Sequence, residues 1–106
     1  MTTRNTAACL MGALVADAAA LGLHWIYDPD RIATLADARG RAAFTPLNPA
    51  HFDGVPAYFA HGLRSPGALT QYGEALHLAI QSLIVSNGRF DETAYQQAYA
   101  AHFGPG

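Results

Sequence analysis

The stretch from Gly12 to Pro29, GALVADAAALGLHWIYDP, decides the fold, because it sets one carboxylate, Asp17, into an apolar small-residue helix and stops that helix at a ring-rich corner. Leu10, Leu14, Ala18 and Leu21 recur at helical steps and form one apolar stripe. The other sides are mostly alanine and glycine. A helix apolar all round is a buried helix, so this one is expected at the centre of its domain. The spacing predicts that it runs from a cap at Asn5 or Thr6 to a stop at Gly22.

Working outward, Asp28-Pro29-Asp30 reads as a turn in which Asp28 caps and Pro29 opens a short helix through Ile32, Leu35 and Ala36. From Gly40 to Ala68 come Pro46, Pro49, Pro56 and Pro66 with no lasting periodicity, which predicts a long irregular connection. Its Phe44, Leu47, Phe52, Val55, Tyr58, Phe59 and Leu63 argue for an ordered cover, since disordered segments are poor in such groups. A third helix is expected from about Thr70 to Ser86, with Leu69, Leu76, Ile80, Leu83 and Ile84 inward and Asn87-Gly88 as its stop. Asp91 then caps a fourth, with Phe90 and Tyr95 at hydrophobic-staple spacing and Tyr95, Tyr99 and Phe103 in a column. The fold class is all-α.

A chain of 106 residues makes one domain at most. Hydrophobic residues are 51% and charged ones 13%, against a usual charged share of about a quarter, so an isolated chain is expected to self-associate through exposed apolar surface. A net charge of -2 and six scattered arginines without a lysine give no footprint for nucleic acid. Cys9, flanked by Ala7, Ala8 and Leu10, reads as a buried small hydrophobe in a reducing cytoplasm. Asp17 interrupts the apolar run and no basic segment beyond Arg4 precedes it, so neither a signal peptide nor a membrane span is expected. The Phe103-Gly104-Pro105-Gly106 terminus, directly after a helix, reads as the edge of a partial domain.

The Asp17 helix with its Leu23-His24-Trp25-Ile26-Tyr27-Asp28 ending, followed by Thr70 at the head of a long helix, resembles the N-terminal part of the ADP-ribosylglycohydrolase family, in its J1-crystallin-like branch. The resemblance implies the helical fold of that family and, in active members, two magnesium ions that hold an ADP-ribose on a Thr-Asp-Asp motif and a C-terminal Asp-rich motif. Here Thr70 keeps the threonine, Gln71 and Tyr72 stand in place of the two aspartates, and His24 stands where the family has a glutamate. A hard dication wants anionic or carbonyl oxygens, so no metal or other cofactor is expected for this chain.

The candidate ligand-binding residues are Asp17, His24, Trp25, Thr70, Gln71, Tyr72 and Glu74. Asp17 reads either as a structural carboxylate that bonds loop backbone or as a metal or substrate group, and the first is favoured. His24 and Trp25 form either a packed corner or a wall facing an ADP-ribose-like small molecule, with the helix dipole favouring a protonated His24. Thr70 and Gln71 stand at a positive helix start, where a phosphate would sit. Glu74 and His77 share one helix face as a solvated pair, and His51 and His61 read as loop residues with no zinc spacing. Three function classes follow: a hydrolase of N- or O-linked ADP-ribose, a non-catalytic crystallin-like structural or nucleotide-binding relative, and a fragment without activity of its own.

Overall fold

A computed structural model describes residues 3–104. Four α-helices carry the fold: α1 (Thr3–Ala20), α2 (Pro29–Arg39), α3 (Gln71–Val85) and α4 (Glu92–Phe103). Among the described residues there is no strand beyond one isolated antiparallel bridge, Ile26 to Ala57, so the all-α class holds. The structure divides into two compact units, the first ending at Thr70 and the second beginning at Gln71.

In the first unit, α1 is already formed at Thr3, so Asn5 and Thr6 lie within its first turns instead of capping it. The helix tightens into a 3-10 turn at Leu21–Leu23. Gly22 is therefore not its left-handed stop. It is buried against the loop, where an added Cβ would lie 1.9 Å from the Thr45 carbonyl oxygen. Glycine is there because backbone meets backbone.

The expectation of a buried central α1 is overturned. Only Ala18 is buried within it, Cys9 is exposed, and Leu10, Met11 and Val15 present apolar surface. The physical reason is a shortage of cover, since the irregular segment meets only the C-terminal end of α1, where Phe44 N donates to Ala19 O and Thr45 lies against Gly22. By length and composition the segment Thr3–Leu23, with mean hydropathy 1.7, would suffice to cross a membrane. Its Asp17 is nonetheless tied to Thr70 by two hydrogen bonds.

Asp28 caps α2, its Oδ1 accepting from Arg31 N at 2.9 Å, with Pro29 in the first turn and Gly40 at φ 75° as the exit. Residues 40–68 are irregular apart from a 3-10 turn at Pro49–Phe52, as their prolines imply. They are ordered by α2. Arg31 Nη1 donates to the carbonyls of His51 and Asp53, and Arg39 donates to those of Ala43 and Phe44 and to Thr45 Oγ1.

In the second unit α3 and α4 pack as an antiparallel-type hairpin pair joined through Asn87 and Gly88, whose positive φ values of 55° and 82° end α3. Gly88 N donates to Leu83 O at 2.7 Å, closing a Schellman-type exit. Asp91 caps α4 through Ala94 N at 3.0 Å, and Phe90 meets Tyr95 at 5.7 Å between ring centroids. Leu78, Ser82 and Val85 face Ala94 and Ala98 across a groove. Ile84, expected inward, is 70% exposed because that face of α3 points away from the α4 seam.

Candidate functional site

Asp17 lies in the last turn of α1, four residues before the buried Leu21 of the 3-10 turn. Its Oδ2 accepts from Thr70 N at 2.8 Å and its Oδ1 from Thr70 Oγ1 at 2.7 Å. Thr70 is only 2% exposed, so water does not compete for either donor. Asp17 thus answers the cost of its apolar setting by satisfying a backbone N–H and a hydroxyl together. Both carboxylate oxygens serve the chain itself.

The corner after α1 is held by backbone geometry. Trp25 adopts φ 68°, a left-handed conformation that costs a bulky residue on the order of 1 kcal/mol or more. Two hydrogen bonds over-determine it: Tyr58 N donates to Trp25 O at 3.0 Å, and Tyr27 N donates to Pro56 O at 2.9 Å. Around that short ladder the rings gather, with Trp25 5.5 Å from Tyr58 and 5.8 Å from His61 between centroids.

His24 closes the cluster. Its Nδ1 lies 3.1 Å from His61 Nε2, with the two ring planes within 10° of parallel. One ring donates and the other accepts. The pKa of His24 is lowered from 6.5, first by burial and next by His61, with Asp17 opposing. That runs against the expectation of a dipole-favoured cation: burial, the largest cause, disfavours the charged ring. Sequence reasoning left His61 as a surface or loop-packing residue and missed its pairing: it is 8% exposed and central to the corner. Its partner lies 37 residues away, and no local spacing signals it.

Beside the corner an open, largely apolar cleft of about 490 Å³ is lined by Ala16, Ala20, Leu23, His24, Trp25 and Ala43, among others. The exposed alanines of α1 form its floor. Of the sequence candidates, the first unit brings Asp17 to Thr70 and His24 to Trp25.

Gln71, Tyr72 and Glu74 open the second unit on the first turn of α3. Tyr72 is 64% exposed. Glu74 does not pair with His77, which is exposed; its Oε2 lies 3.4 Å from His102 Nε2 on α4, because α4 packs back along α3 and brings its last turn to the first turn of α3. Where the resemblance places two magnesium ions, Gln71 supplies one neutral amide oxygen, buried without a hydrogen-bond partner among the described residues, and Tyr72 a phenol. Neutral donors of this kind do not meet the demand of a dication for anionic ligands. The residues present do not fit that metal. Among the described residues, no group of three or more His, Cys, Asp or Glu side chains is arranged to hold an ion.

The family model described as ADP-ribosylglycohydrolase matches residues 2–106. Two curated relatives from Tripedalia cystophora are similar: crystallin J1B, 32% identical over 102 residues, and crystallin J1A, 33% identical over 101 residues. Each alignment covers 93% of this chain and 28% of the crystallin, so the chain spans little more than a quarter of the length of those relatives. No solved structure matches. With nearly its whole length matched by that model and by both crystallins, the chain belongs to the ADP-ribosylglycohydrolase family.

Proposed function

We propose that this chain is a member of the ADP-ribosylglycohydrolase family that does not cleave N- or O-linked ADP-ribose by the magnesium-dependent route, and that it serves a non-catalytic, crystallin-like structural role. The observation that carries the reading is the neutral Gln71-Tyr72 pair at the head of α3, preceded by a Thr70 whose donors are committed to Asp17. Two dications at the head of α3 would find two fewer carboxylates than the family motif gives, since Gln71 and Tyr72 stand for its aspartates. Their desolvation would go uncompensated. Release of ADP-ribose from modified arginine or serine, measured with magnesium and with chelator, tests it. No chelator-sensitive release is expected, and release abolished by chelator refutes the reading.

A second reading rests on the cleft beside His24 and Trp25: the same scaffold holds an ADP-ribose-like small molecule without cleaving it. Trp25 is the single tryptophan of the chain and lines that cleft, so ADP-ribose binding there would change its fluorescence in a saturable way. A flat titration to millimolar ligand excludes this second reading.

A further inference from the structure

We propose that His24 and His61 form an acid-sensitive latch, which keeps the Trp25 corner closed on the loop at residues 56–61 and opens when both rings carry a proton. The inference does not depend on whether the protein is catalytic.

The chemistry of the pair sets the rule. Two neutral imidazoles at 3.1 Å share one hydrogen bond, with one ring as donor and the other as acceptor. A first proton leaves an imidazolium donating to an imidazole, and the bond survives. A second proton leaves neither ring able to accept from the other and sets two like charges side by side. The pair therefore tolerates one proton and rejects two, and the two rings titrate as a unit.

The surroundings sharpen the rejection. His61 comes from the loop and is buried, so its charge is poorly solvated. Asp17, from α1, is the carboxylate whose field favours a charged His24, and it opposes the effect without cancelling it. Tyr58, from the loop, and Trp25, from the corner, contribute uncharged rings. Burial and His61 hold the His24 pKa below 6.5, so the folded corner binds fewer protons than the unfolded chain. The latch is thus fully in force above 6.5 and is lost as the pH falls from there through the folded-state value.

Opening has a definite structural meaning. Trp25 sits in a strained left-handed conformation that is held by the Tyr58 N to Trp25 O bond and by ring contacts with Tyr58 and His61. Once His61 is repelled, the loop segment that carries Tyr58 loses its side-chain anchor, and the strain in Trp25 favours release. Because His24 and Trp25 also line the cleft, that wall changes with it.

The test follows Trp25 fluorescence from pH 8 to pH 4.5, with far-UV circular dichroism in parallel. The full chain is expected to show a reversible emission change centred below 6.5 while its helical signal persists. His61→Gln keeps a hydrogen-bonding group but cannot be charged, so the midpoint should rise toward 6.5 or the change should vanish; the double variant with His24→Gln should show none. Where a variant fails to fold, histidine proton NMR on the unsubstituted chain gives the same decision, because two of the five rings should titrate together with one midpoint depressed. A midpoint unchanged by both substitutions, loss of helix in the same transition, or five independent titrations near 6.5 would overturn the latch.

Discussion

Asp17→Ala is the perturbation whose size the structure fixes best. Removing the carboxylate strands the Thr70 N–H and deprives the Thr70 hydroxyl of its acceptor, at a residue only 2% exposed. A buried unsatisfied donor costs roughly 1–3 kcal/mol. The hydroxyl can rotate and recovers part of its loss, whereas the N–H cannot, so the net expectation is about 3 kcal/mol. For a chain of this size that corresponds to a fall in Tm of roughly 10–20 °C. Asp17→Asn should be milder, near 1 kcal/mol, because its amide oxygen can take the N–H while its NH2 donates to the hydroxyl. Thr70→Val removes only the hydroxyl. Urea unfolding followed at Trp25, for both single variants and the pair, would give a coupling energy above about 1 kcal/mol. An Asp17→Ala variant within 0.5 kcal/mol of the parent would refute the view that this carboxylate is there for structure.

Three further outcomes are expected. Gly22→Ala, which drives a methyl group to 1.9 Å from the Thr45 carbonyl oxygen, should destabilise by more than about 3 kcal/mol, above the usual overpacking range, and an unchanged urea midpoint would contradict the close approach. Magnesium at millimolar concentration should leave Tm unchanged, whereas Gln71→Asp combined with Tyr72→Asp should make it magnesium-sensitive; sensitivity in the unsubstituted chain would show that other ligands suffice. The exposed Leu10, Met11 and Val15 of α1 should bind a hydrophobic dye or drive self-association, and a strictly monomeric, dye-silent protein would count against open apolar turns on that helix.

What the sequence made legible was governed by local rules. Asp28 before Pro29, Asp91 three residues before Ala94, the Phe90 and Tyr95 staple, and Asn87-Gly88 after α3 each act within a turn or two, where backbone geometry leaves few alternatives. The candidate site was only half legible. Asp17 was readable as a group that bonds loop backbone, but its partner Thr70 lies 53 residues on, and His24 finds His61 across 37. No periodicity encodes such meetings. Gly22 was noticed for the wrong reason, because a glycine at a helix end looks the same in sequence whether it turns the chain or admits a carbonyl. Cys9 and the early turns of α1 were misplaced because apolarity states what a helix tolerates and does not guarantee that anything covers it.

The two arginines of α2 carry a consequence for how the first unit comes apart. Arg31 grips the carbonyls of His51 and Asp53, and Arg39 grips those of Ala43 and Phe44, so both ends of one helix hold a segment with almost no regular structure of its own. At 11 residues α2 is too short to persist alone in water, and the segment it grips lacks a backbone ladder to define its path. Neither has a shape without the other. Amide exchange across residues 29–53 should therefore proceed as one cooperative opening, with the helical N–H groups of α2 no more protected than the irregular segment lets them be.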